Sequence, residues 1–282
     1  LVYNDRLVPA GTPVTQRDDP SMTRLQPELH KSGLWLQADR VGDVFVPHAK
    51  DIAANRIPVN VWAWQGEAVD QGDEAADFAS ELLDRAVRLV EVSRDRPRYT
   101  EGNPALGPVG FADGYPLSVS SLESFDRLNK QLIARGDQPV PGDRTRTNLV
   151  LSGVELPDAP GVTENSFPED YIKTITVAQN GLVLVLESLK ASDRCSMPDT
   201  NQQNGERGPG RPVLRALRLL GRHGWHANSE AYGTTPAVFM SQNFVIKLPQ
   251  GMSPDDTIDL TRDAEIDVEY RDHTNWVSSS KK

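Results

Sequence analysis

The chain has 282 residues, enough for one large domain or two small ones with a sizeable core. Acidic side chains outnumber basic ones 40 to 30, and no basic block dominates, so nucleic acid is not expected as the main partner. No apolar run approaches the roughly 18 residues that cross a bilayer. A single cysteine excludes a disulfide, a four-thiolate zinc site or an all-cysteine cluster made from this chain alone.

Leu1-Val2-Tyr3 reads as the middle of a strand, with neither initiator methionine nor signal peptide, so the numbering is expected to begin inside a longer protein. Cytoplasm is the default expectation for an acidic chain with a free thiol. Residues 1–70 read as short strands between turns: Gly33 to Ala38, Val44 to Val46, and Val59 to Trp64, which alternates with period 2. Asp73 to Arg85 is the first helix, with Ala76, Phe78, Ala79, Leu82 and Leu83 on its apolar face and acids in its first turn. Val87 to Val92 is strand-like, and Ser93 to Gly114, rich in Pro, Gly and Arg, is a long loop or linker.

Pro116 to Ser120 is a short strand. A helix then opens at Ser120 with Glu123 three residues later, a capping-box pattern, and ends at Gly136. Asn148 to Leu151, Tyr171 to Val177 and Gly181 to Glu187 are strands. Pro212 opens a helix with Leu214, Leu217 and Leu220 inward, ended by Gly221. Asn243 to Leu248, Thr257 to Leu260 and Ala264 to Tyr270 complete the strands. The order implies a mainly β (α+β) fold, a barrel with a few peripheral helices.

Familiar catalytic patterns are missing: there is no phosphate loop, no G-x-G-x-x-G after a strand and no nucleophile elbow. His223 and His226 read as a loop after a helix. Cys195 follows Arg194 and precedes a glycine-containing loop. A lone cysteine can be buried filler, a nucleophile or one thiolate ligand to a metal carried by something else, and positive surroundings favour thiolate chemistry. Arg17 stands at a turn. If Arg144 to Asn148 is extended, Arg144, Arg146 and Asn148 share one face, an anion clamp or a solvated strand edge. Ser120, Ser121 and Ser124 at a helix start suit a phosphate or simple capping.

Taken together, these runs resemble the MOSC family, whose members bind the molybdenum cofactor, and more closely the branch of the mitochondrial amidoxime-reducing component. Val14-Thr15-Gln16-Arg17-Asp18-Asp19-Pro20 looks like the family's fltqR-x-x-P turn. The Val59 to Val90 run, with Asp70-x-Gly72-Asp73, resembles its N-terminal β-barrel portion. Phe111-Ala112-Asp113-Gly114-Tyr115-Pro116, followed by Ser121-x-x-Ser124-Phe125, is similar to the start of the MOSC domain proper. Arg146-Thr147-Asn148 and Arg194-Cys195, with Gly205 ten residues after the cysteine, look like the family's R-P-N and R-C…T-G. Gln242-Asn243-Phe244-Val245 also fits.

The resemblance implies an N-terminal β-rich portion over 1–95 and a MOSC domain over 96–282. It also implies that Cys195 ligates the molybdenum of a molybdopterin cofactor. Arg17, Arg146 and Asn148 would hold the pterin and its phosphate, helped by Asp113, Ser121, Ser124 and Arg194. The implied activity is reduction of amidoximes, hydroxylamines and N-hydroxylated bases, with electrons from a separate cytochrome b5-like, ferredoxin or flavin reductase partner. The alternatives are sulfur transfer through a Cys195 persulfide and cofactor binding without turnover. MOSC domains fused to cofactor sulfurases suggest the former, although no aminotransferase-like half with a pyridoxal phosphate lysine is visible. The chain departs from the pattern at Thr147 for proline, Thr145 for an aromatic, Asn201 for aspartate and Ser241 for glycine. The early Y-P-x-K-S segment is not present.

Overall fold

A computed structural model of the chain describes residues 1–3, 11–48, 55–93, 95–158, 162–220, 238–249, 251–252 and 264–271. His223, His226 and the expected strand from Thr257 to Leu260 lie outside them. The contacts divide the chain into two compact units. The first comprises Leu1–Arg98, Val109–Asp113 and Thr200–Arg207; the second comprises Tyr99–Pro108, Gly114–Asp199 and Gly208–Lys282.

In the first unit, β1 (Val2–Tyr3) pairs with β7 (Val87–Arg88). Three antiparallel strands follow in order, β2 (Gln26–His30), β3 (Gly33–Ala38) and β4 (Gly42–Pro47). A second antiparallel sheet holds β5 (Arg56–Val61), β6 (Trp64–Asp70) and β8 (Val90–Val92). Helix α1 (Asp73–Leu83) turns Ala75, Ala76, Phe78, Ala79, Leu82 and Leu83 inward. That stripe meets Leu36, Val44 and Val46, the inward positions of β3 and β4, so helical and strand periodicities close one core. The alternating run from Val59 to Trp64, expected as one strand, is a hairpin instead. Val61 pairs with Trp64 across a two-residue turn, Trp62-Ala63, and Trp62 adopts φ 56°.

Among the described residues the second unit holds a six-stranded sheet in the order β10 (Leu149–Leu151), β9 (Leu117–Ser121), β13 (Phe239–Lys247), β12 (Leu182–Asp193), β11 (Ile172–Gln179) and β14 (Glu265–Tyr270). It curls as a half-barrel. Every neighbouring pair is antiparallel except β9 and β10. Those two are joined through α2 (Leu122–Ala134), the crossover that parallel neighbours require. Phe125, Leu128 and Leu132 of α2 pack with Val213, Leu214, Leu217 and Leu220 of α3 (Pro212–Leu220). A separate core fills the sheet from Val119, Ile172, Ile175, Leu186 and Phe244. The protein is therefore mainly β with three peripheral α-helices among the described residues. None of these helices is long and apolar enough to cross a membrane.

Candidate functional site

Cys195 lies two residues past the end of β12 and two before a tight turn, Met197–Asp199; its side chain is half-buried and reduced. The cysteine loop is anchored on both sides. Arg194 donates from its backbone N–H to Val238 O (2.7 Å), from Nη1 to Ser192 Oγ (3.0 Å) and from Nη2 to Thr145 O. Beyond it, Asp199 is buried and caps α3, accepting from Val213 N at 2.8 Å. Burial raises the Asp199 pKa above its ordinary value, and hydrogen bonds to the α3 N-terminus oppose that rise.

The turn Gly142–Thr145 lies beside Met197–Asp199 and brings Arg146 to the same loop. Here the sequence expectation needs correction. The run from Arg144 to Asn148 is not extended: residues 142–145 form a 3₁₀ turn, and Arg146 is left-handed at φ 53°. The strand begins only at Leu149, so no alternating face unites Arg144, Arg146 and Asn148. Arg146 Nη1 instead reaches Met197 Sδ at 3.4 Å. Asn148 is engaged with β9, its Oδ1 accepting from Ser118 N at 2.9 Å and its N–H donating to Ser118 O at 3.0 Å.

Ser121, rather than Ser120, is the N-cap of α2, and its Oγ accepts from Ser124 N. Glu123 does not close a capping box on the serine. Its Oε1 accepts from Gly153 N at 2.8 Å. Ser121 and Ser124 are completely buried, and their hydroxyls lie 2.8 and 2.5 Å from Glu169 Oε2. The hydroxyls at the α2 N-terminus are thus already engaged by an acidic side chain from within the chain. Next to it, Asp170 accepts from Gln242 Nε2 at 2.7 Å. Burial raises the pKa of both acids, Asp170 further because Glu169 stands beside it. Ser241, whose backbone interacts with Glu169, joins a cluster of hydroxyls from Ser120, Thr145 and Thr147, with Ser120 bonded to both Thr147 and Ser241. Ser241 holds φ 73°, a conformation glycine prefers, beside a register shift between β12 and β13.

The first unit holds Arg17 and Asp113, which form an ion pair. Arg17 also lies over the Trp62 ring, 5.1 Å from its centroid. Arg207 binds the turn from the other side, donating to the carbonyls of Gln16 and Arg17. Arg98, nearly buried, donates to the carbonyls of Gly110, Ala112 and Asp113, and burial lowers its pKa. Gly205 allows the 200–207 segment to approach closely: at φ 76°, a Cβ there would sit 2.8 Å from Pro20 O.

Sequence reasoning missed Glu169, Asp170 and Trp62. Two acids between Phe167-Pro168 and the apolar run Tyr171-Ile172 were a signal for the first pair, since acids so placed are buried only when partnered. For Trp62 no local signal existed, because the run from Val59 to Trp64 reads as one alternating strand.

Two family models match the chain, the MOSC N-terminal beta barrel domain over residues 5–86 and the MOSC domain over residues 107–247. A molybdenum cofactor sulfurase of Aspergillus terreus is 31% identical over 104 residues, 37% of this chain. The chain spans 12% of that protein's length. A Bordetella bronchiseptica protein solved in solution matches 34% of this chain and 72% of its own, at 25% identity and a TM-score of 0.30, too low to carry an argument.

Proposed function

The chain belongs to the MOSC family, and from that premise we propose that it binds a molybdenum cofactor through Cys195 and reduces N-hydroxylated compounds. The observation that supports this reading is the setting of the thiol: half-buried, after β12, in a loop held by its own Arg194 and reached at Met197 by Arg146. The donor set fits such a group. Among the described residues no three His, Cys, Asp or Glu side chains converge into a metal cage. A metal held by Cys195 therefore needs ligands of its own, and the dithiolene sulfurs of a pterin are donors of that kind. Thiolate is the matching soft protein ligand.

Arg194 and Arg146 would flank that metal with positive charge, and Arg17 would meet an anionic group of the cofactor. Asp113 pairs with the Arg17 guanidinium while no anion is bound. Asn148 acts from beneath, stitching the Arg146 loop to β9. Ser121 and Ser124 act through Glu169, fixing the end of β9. When bound, the cofactor would supply two-electron cleavage of an N–O bond, giving the parent base and water with two protons. The electrons would come from a separate cytochrome b5-like, ferredoxin or flavin reductase partner.

The sulfurase match favours a second reading, in which Cys195 carries a persulfide toward a metal cofactor. Both are tested on protein from a host that makes the cofactor. The reductase reading expects near one molybdenum per chain and oxidation of a reduced dye only when an amidoxime is added, both lost in Cys195→Ser. The sulfur-carrier reading expects Cys195 to gain about 32 Da on sulfur loading, one added sulfur. Molybdenum retained without turnover would indicate a binding protein. Full reductase activity with molybdenum in Cys195→Ser removes the thiolate assignment.

A further inference from the structure

Trp62 is out of place by local criteria. A two-residue hairpin turn wants glycine or asparagine wherever φ is positive, because a side chain there crowds the backbone. The turn between β5 and β6 instead carries the bulkiest side chain available, at φ 56°. Burial does not explain the choice, since Trp62 is 66% exposed. Its ring does have a partner: the Arg17 guanidinium, 5.1 Å from the centroid. Backbone strain retained at an exposed aromatic points to a role outside turn formation.

The surroundings indicate what that role is. Arg207 fixes the backbone of Arg17 through the carbonyls of Gln16 and Arg17. Arg98 fixes the Asp113 backbone from within. The guanidinium therefore extends from a fixed turn, with Asp113 against its N–H edge and the Trp62 ring against its face. Asp113 is a carboxylate with more than half its side chain in water, so an incoming anion can displace it. The aromatic face cannot be displaced in that way, because it attracts the cation without occupying its N–H groups. We propose that Trp62 is the positioning residue that keeps Arg17 presented to a phosphate group when Asp113 gives way. Assignment of that phosphate to the molybdenum cofactor rests on the function proposed above.

The test uses the full cofactor-free chain and inorganic phosphate, titrated calorimetrically at constant ionic strength with chloride as balance. The part of the signal lost in Arg17→Gln belongs to this site. Trp62→Gly is expected to melt at or above the wild-type temperature, because the turn regains its preferred residue. It is also expected to bind phosphate about two- to fivefold more weakly. Trp62→Phe keeps an aromatic face and restores binding, whereas Trp62→Leu keeps bulk and does not. Asp113→Asn, removing the competing charge, binds more tightly. A purely structural Trp62 would lower the melting temperature and leave the phosphate titration alone. Unchanged affinity in both Trp62→Gly and Trp62→Leu overturns the proposal, as does a wild type with no Arg17-dependent binding. Molybdenum content of protein from a cofactor-making host reports on the cofactor separately. A normal phosphate pattern without molybdenum removes the cofactor reading and leaves Trp62 standing; molybdenum with a flat phosphate pattern does the reverse.

Discussion

Replacing Glu169 with glutamine should change how stability depends on pH. Glu169 is fully buried, with Oε2 shared by the hydroxyls of Ser121 and Ser124. Burial raises its pKa above the ordinary value of 4.5, against the pull of those hydroxyls; Asp170 rises well above 3.8 by burial and then by the charge of Glu169. A carboxyl whose folded pKa exceeds its unfolded one contributes its full share below the unfolded value. That share is lost as pH rises through the folded value, because the native chain holds a proton that the unfolded chain has released. Each retained proton costs up to about 1.4 kcal/mol of stability per pH unit within that window. At low pH, Glu169→Gln should be less stable by about 1 kcal/mol, since the amide oxygen replaces only part of the carboxyl's hydrogen bonding. As pH rises above the ordinary carboxylate range, the wild type loses stability faster and the gap narrows or reverses. Urea unfolding of both proteins at half-unit steps from about pH 4 to 9 gives the difference directly, cancelling the titrating groups other than Asp170, which Glu169 itself influences. A flat difference shows that Glu169 retains no proton, and a difference moving in the wild type's favour shows that its pKa is lowered.

Leu128, 1% exposed between α2 and α3, should cost about 2–5 kcal/mol when cut to alanine, read as a lower urea midpoint. A loss below about 1 kcal/mol would mean that the helix pair carries little of the stability. Arg98→Lys leaves one ammonium where two guanidinium nitrogens reach three carbonyls, so a loss of about 1–3 kcal/mol is expected, with faster amide exchange at 109–113. Unaltered exchange there would show that Arg98 does not hold the segment. Ser241→Gly should be more stable than Ser241→Ala: both lose the hydroxyl bonded to Ser120, but only glycine relieves φ 73°. The opposite order would assign the cost of that position to packing.

Local patterns were legible where one element answered to one periodicity. β3 spans the strand-like run expected of it, Gly33 to Ala38, and Pro212 opened α3 where its fixed φ suits a first helical turn. The hairpin at Trp62 was hidden because alternation continues through a two-residue turn without a break in its apolar pattern. The arginine run failed for a related reason. Alternation can be written over any five residues, but one left-handed residue at Arg146 removes the shared face. At the helix start, adjacent serines offered two equivalent caps, and only the fold chose Ser121. The roles of Ser121, Ser124 and Arg17 were illegible because their partners are distant: Glu169 is 45 and 48 residues away, Asp113 is 96. No window of sequence contains both members of such a pair.

The first unit takes its last segment, Thr200–Arg207, from far along the chain. Arg207 meets carbonyls 190 and 191 residues upstream of it. During synthesis, Arg98 leaves the ribosome long before Arg207 does. At about 5–20 residues per second, the interval is on the order of 5–20 s. Throughout that time the Arg17 turn has its tryptophan, and soon after Arg98 its aspartate, Asp113, but it lacks the Arg207 guanidinium that fixes its backbone. The β-rich start of the chain therefore reaches its final form late, after most of the second unit's strands have been made. Slow codons or a pause between those segments would lengthen the exposure of the unfinished turn, and mutations at Arg207 would make it permanent.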